Sequence, residues 1–161
     1  AEQAASDDPL YLVPAFSGLG APYWDSYASA AIVGMTRTTG RAEIVRAGVE
    51  CIAYQITDIV KAMSEDAGIT VEELRVDGGP TKNTYLMQFQ SDMAEADVRI
   101  PDSEELSGIG PAYAAGLALK IWDDTIFDKL NRTAYEAKMT KEVRDKKYNG
   151  WKHAVKMVLT K

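Results

Sequence analysis

The chain has 161 residues, 46% hydrophobic and 26% charged, which is ordinary globular material with enough length for one sizeable core. Its formal net charge of −6 argues against a nucleic-acid or anionic-membrane partner, since both attract basic surfaces. A single cysteine, Cys51, and a single histidine, His153, exclude an internal disulfide and a Cys/His zinc cluster, and make a reducing, cytoplasmic setting the expectation. No apolar run approaches the roughly 20 residues of a spanning helix, and no charged-then-apolar leader opens the sequence.

Residues 1–9 are small and polar and read as a loose lead-in, followed by a short strand over 10–14. The next stretch, AFSGLGAPYWD over 15–25, sets three aromatics among glycines and a proline, too rigidly punctuated for a helix and too apolar for a plain linker. Such a loop either lines a site or uses Phe16, Tyr23 and Trp24 to pin itself to the core. Residues 30–36 are apolar enough for a buried strand. Val45, Val49, Ile52, Ile56, Ile59 and Met63 then recur in steps of four and three, the stripe of a long amphipathic helix over about 42–67. Glu43, Arg46, Glu50 and Asp58 fall off that stripe. Gly48 costs about 1 kcal/mol relative to alanine in a helix interior, so it predicts the close approach of another backbone or helix. Gly68 is placed to end the helix, and Cys51 reads as a small buried hydrophobe.

Residues 74–92, LRVDGGPTKNTYLMQFQSD, read as strand, tight turn and helix. Leu74 and Val76 flank Arg75 at strand spacing, and the run stops at Asp77-Gly78-Gly79. Adjacent glycines permit positive φ and let another group come up to the backbone. Pro80 presets φ for a first helical turn, so a helix is expected from Pro80 or Thr81, with Leu86, Phe89 and Met93 on one face. A strand that feeds a glycine turn and a helix N-terminus presents amide N–H groups to a phosphate or nucleotide. Taken alone, the turn is more simply what a chain needs to reverse tightly. Asn83, expected on the first or second helical turn, adds a carboxamide able to donate to and accept from a base edge. Lys82 reads as a solvated lysine.

A second short strand is expected over 96–100. Residues 104–122 form a helix made largely of small residues, with Ser107 as a candidate cap, pressed against a sheet or the preceding helix; alternatively a turn at Gly108 to Gly110 walls a nucleotide pocket. From Asp123 the composition turns charged, and 141–161 predicts a closing helix with Trp151, Val155 and Val158 as its apolar contacts and its lysines as a solvated face. Alternating strands and long helices predict an α/β layered fold. No internal repeat is visible.

Four segments resemble the C-terminal domain of the FGGY carbohydrate kinases: VPAFSGLGAPYWD from Val13, GMTRTTGRAEIVRAGVECIAYQ from Gly34, RVDGGPTKNTYLMQFQSD from Arg75 and YNGWKHAVK from Tyr148. The family's second signature runs through Ala30, Ile32, Gly34, Met35, Glu43, Ile44, Ala47, Val49 and Glu50, with Gly48 where a small or β-branched side chain is usual. The resemblance implies an actin/hexokinase-like (ribonuclease H-like) α/β fold and two domains closing over ATP and a polyol or sugar, with in-line phosphoryl transfer to a hydroxyl of glycerol or a related polyol. It implies that Gly78, Gly79 and Asn83 contact the adenosine part of the nucleotide, with Pro80 and Thr81 as neighbours; Pro80-Thr81-Lys82 stands where relatives carry small apolar residues. In this family the catalytic aspartate, most polyol contacts and the first phosphate loop belong to the N-terminal domain, and the second phosphate loop lies near the start of the C-terminal domain. Nothing here matches them. The 161 residues therefore read as the adenosine side of a kinase, lacking the N-terminal domain and the first part of their own, and inactive alone. Mg2+ is expected to be held mainly through the nucleotide, with Asp77 a turn former rather than a partner of its water. Two rivals remain open, an FGGY kinase for a ketopentose or sugar alcohol such as xylulose or ribulose, and a non-catalytic nucleotide-binding or assembly module. An uncovered sheet edge would predict a homo-oligomer.

Overall fold

The computed structural model describes residues 10–101, 106–123, 125 and 132–161. Strands β1 (Tyr11–Val13) and β2 (Ala31–Val33) form an antiparallel ribbon with Tyr11 opposite Val33. Helix α1 (Arg41–Ala67) follows, then β3 (Glu73–Arg75), a 3-10 turn (Gly79–Lys82), α2 (Thr84–Ala94) and β4 (Asp97–Pro101). Helix α3 (Leu106–Ala118), β5 (Arg132–Tyr135) and α4 (Lys141–Val158) complete the order. β3 and β4 are parallel with α2 as their crossover, and β5 adds antiparallel to β4, so among the described residues β3 is an edge strand. The expected α/β alternation is present. The lead-in over residues 1–9 lies outside the described residues.

α1 starts where the Gly40 N–H donates to the Glu43 carboxylate at 2.9 Å, and ends at Gly68 with φ 65°, as its sequence position predicts. Its buried face, however, is not the apolar stripe. Arg46, Ala47, Glu50, Cys51, Ala53, Tyr54, Thr57 and Asp58 turn inward, while Val45 (48% exposed), Ile52 (41%), Ile59 (41%) and Met63 (61%) face outward. The inward face is organised by Tyr54, which stacks on Trp151 of α4 with centroids 5.2 Å apart and meets Phe89 of α2 edge-on at 5.4 Å. Its charged members are paired. Asp58 accepts hydrogen bonds from Trp151 Nε1 (2.7 Å), Tyr148 OH (2.6 Å) and Tyr23 OH (2.7 Å). Glu50 accepts from Tyr85 OH at 2.5 Å and lies 3.6 Å from Arg46. Carboxylates supplied with donors in this way can be buried, and periodicity of apolar residues does not register that option. The backbone expected to approach Gly48 is not among the described residues, since a Cβ there would meet nothing within 4 Å.

Other expectations shift as well. β2 is three residues long and half-exposed, with Ile32 at 42%, rather than a buried strand. The 15–25 loop leaves Phe16 and Trp24 at 82% and 73% exposure. It is held by main-chain bonds exchanged between Leu19 and Asp25 (2.8 and 2.9 Å), by Tyr23 on Asp58, and by the Asp25 carboxylate, which accepts from the Thr160 N–H at 2.6 Å. In α3, Ser107 and the Gly108 to Gly110 stretch are helical, so neither the cap nor the turn exists; Ala112, Ala114, Ala115 and Ala118 are exposed and do not press on a neighbour. β5 had no sequence signal. It is tied to α2 by Ser91, whose hydroxyl lies 2.9 Å from the Tyr135 carbonyl, and by Asp92, which accepts from the Lys138 and Met139 N–H groups at 2.6 and 3.0 Å.

Candidate functional site

The site is built where β3 runs out. Val76 N–H still donates to the Arg99 carbonyl of β4 at 3.0 Å, after which Asp77 is exposed and Gly78 takes φ 93°, a conformation that a side chain would strain. The carbonyl of Gly78 then accepts from the Thr81 N–H (3.1 Å) and hydroxyl (2.7 Å), closing the 3-10 turn that carries Pro80 near its start. Thr81 is thus committed to holding the turn. Asn83 is neither on the first nor the second turn of an α-helix that starts at Pro80: it is the residue between the two helical pieces and caps α2, its Oδ1 accepting from the Leu86 N–H at 3.1 Å. That bond fixes the carboxamide's orientation and leaves its two N–H donors at the exposed surface.

Gly79 differs from Gly78. Its φ is not in the left-handed region, and a Cβ built on it would meet nothing within 4 Å, so no internal packing calls for glycine there. Room above a bare backbone, at the first residue of the 3-10 turn, suits a ligand that lies flat on the main chain. Pro80 and Thr81 also border a cavity of about 310 Å3 that continues inward between Ile52 and Ile56 of α1, Val76, and Gln90 of α2. Gln90 sits three before Met93 and four after Leu86, on the face that α2 buries. It is 1% exposed, and neither its Oε1 nor its Nε2 has a hydrogen-bond partner. A glutamine at an otherwise apolar helix position was the available signal, and sequence reasoning passed over it. A second opening of about 560 Å3, between Tyr23 and Lys152 and Lys156 of α4, touches none of the residues expected to hold the nucleotide.

Among the described residues no three His, Cys, Asp or Glu side chains converge as a metal site. No helix of the described residues is long and apolar enough to cross a membrane.

The model of the C-terminal domain of the FGGY family of carbohydrate kinases matches residues 1–119. This chain belongs to that family. The FGGY chain is 48% identical over 160 residues to glycerol kinase of Vibrio atlanticus, covering 97% of itself and 31% of that protein. It is 45% identical to glycerol kinase of Staphylococcus epidermidis over 97% of its length and 32% of the relative's. Among solved structures it matches Plasmodium falciparum glycerol kinase with ADP at TM-score 0.87 and 40% identity, over 96% of this chain and 31% of that one. A ligand-bound xylulose kinase of Lactobacillus acidophilus, 21% identical with TM-score 0.77 over 92% of this chain and 31% of its own, shares the fold. The actin/hexokinase-like fold is that of these kinases, and the FGGY chain spans about a third of their length.

Proposed function

We propose that this chain holds the adenosine part of ATP in an enzyme that phosphorylates a hydroxyl of glycerol. The observation that carries the reading is Gly79, a glycine with no conformational or packing need for being one, at the strand end where the chain resembles a kinase solved with ADP. Gly78 makes the turn, Gly79 leaves the space, Thr81 locks the loop, and Asn83 offers its carboxamide N–H groups to the nucleoside from an orientation that capping has already fixed. Fixing these groups before the nucleotide arrives is a positioning contribution, and positioning is a large part of phosphoryl transfer. Glycerol is favoured over a ketopentose because relatives at 44 to 48% identity are named glycerol kinase, whereas the xylulose kinase structures stand at 20 to 24%. The catalytic aspartate and the phosphate loops are supplied by a part of the enzyme outside these residues. Magnesium travels with the nucleotide's phosphates.

The test is a calorimetric titration of ADP into the chain and into Gly79→Val. The substitution fills open space, so the thermal midpoint is expected to hold while binding is lost. No heat from the unsubstituted chain at millimolar ADP would instead favour an assembly module.

A further inference from the structure

The opening of about 560 Å3 beside α4 combines an apolar floor with positive charge that nothing in the chain answers. Lys152, Val155 and Lys156 share one face of the helix, with Leu159 one turn further on at its end. Val155 is buried and forms the floor with Leu159, while both lysines are exposed. Tyr23, from the 15–25 loop, supplies the other wall. Its hydroxyl donates to Asp58 at 2.7 Å, which holds the ring in place, and Lys152 Nζ lies over that ring, 5.3 Å from its centroid. No Asp or Glu borders the opening. Among the described residues Lys152, Lys156 and Lys161, which also borders it, form no ion pair, in a chain whose net charge is −6. Asp58 and Asp25 cannot neutralise them, because both are buried and their oxygens are taken, the first by Tyr23, Tyr148 and Trp151 and the second by Thr160, Tyr27 and Ala28. The helix dipole accounts for a cation in the last turn, at Lys156, but not for the apolar-floored space beside it.

We propose that this opening binds a small phosphate monoester carried on an apolar or aromatic body. Two lysines one helical turn apart answer a dianion better than a monoanion, which selects a phosphate over a carboxylate. The Tyr23 ring, Val155 and Leu159 then meet the body of the ligand. They offer it no polar partner, since the Tyr23 hydroxyl is committed to Asp58. An inorganic anion would leave this apolar surface wet, and a neutral apolar molecule would leave the lysines unanswered. The site shares no residue with the turn at Gly78 to Asn83 or with the cavity behind it, so the proposal does not rest on the nucleotide reading.

The experiment titrates phenyl phosphate into the chain and follows amide chemical shifts residue by residue, with inorganic phosphate and phenol as half-probes and vesicles containing phosphatidic acid as a separate arm. The readout is local, so any binding at Gly78 to Asn83 is seen apart from this site. Saturable shifts are expected at Tyr23 and over 152–159, with phenyl phosphate about 10-fold tighter than inorganic phosphate because its ring is partly removed from water. Lys152→Gln combined with Lys156→Gln, both at exposed positions, should leave the rest of the spectrum in place and weaken binding roughly 5- to 30-fold. The absence of saturable shifts at these residues, equal affinity for phenyl phosphate and either half-probe, or unchanged affinity in the double variant overturns the proposal. So does attachment to the vesicles without saturable binding of phenyl phosphate, because the lysines would then serve a membrane surface.

Discussion

Asn83→Asp separates two roles that one side chain performs. Aspartate caps a helix as well as asparagine does, so the bond to the Leu86 N–H at 3.1 Å survives, and its charge at the start of α2 is favourable to the helix. The unfolding midpoint should therefore stay level or rise. What the substitution removes is the pair of carboxamide N–H donors, and one net hydrogen bond to the nucleoside is worth about 0.5–1.5 kcal/mol, or roughly 2- to 13-fold in the dissociation constant for ADP. Asn83→Ala is the contrasting variant: it loses the cap as well, at about 1 kcal/mol of stability and roughly 2–4 °C in the midpoint. Paired ADP titrations and thermal melts on the three proteins give the answer. Asn83→Asp binding ADP with unchanged affinity would reduce Asn83 to a helix cap and refute its contact with the nucleotide.

Asp58→Ala should lower the urea stability by about 2–5 kcal/mol, since the wholly buried Trp151 indole N–H loses its acceptor while the half-buried Tyr23 and Tyr148 hydroxyls turn to water; an unchanged midpoint would contradict the arrangement. Burial pushes the Cys51 thiol up to about 11, so at pH 8 the folded chain should react with a thiol reagent about a hundredfold more slowly than the unfolded chain, before any allowance for access. Asp25 carries the opposite shift: the Thr160 N–H, aided by the Thr160 hydroxyl and the Tyr27 and Ala28 N–H groups and opposed by desolvation, holds its carboxyl below the ordinary value. The stabilisation from a lowered carboxyl is complete above the unfolded value of roughly 3.9 and disappears as pH falls through the folded one, so acidification below pH 4 should free the Thr160 amide to exchange, and Asn at position 25 should abolish that pH dependence.

How much of this was legible depends on whether the determining contact was local. The Gly78 turn, the Gly68 helix end, the buried trio Leu86, Phe89 and Met93, and the anchoring by Trp151 and Val155 are written within a few residues of where they act, and the structure places them where their spacing says. The role of Asp58 is set by groups 35, 90 and 93 residues away, and that of Asp25 by one 135 residues away, so neither could be read along the chain. α1 is the informative failure. Its spacing gave a helix and an apolar face, and among the described residues Val45, Ile52, Ile59 and Met63 of that face are exposed while the polar side of the helix is buried. Glu50 and Asp58, two carboxylates off the stripe, are buried, each with its own donors. Gln90 is the converse case, a buried amide with no hydrogen-bond partner, which is costly. The amphipathic signal of a helix thus reports where its apolar residues lie and is silent on the polar groups that distant donors allow it to bury.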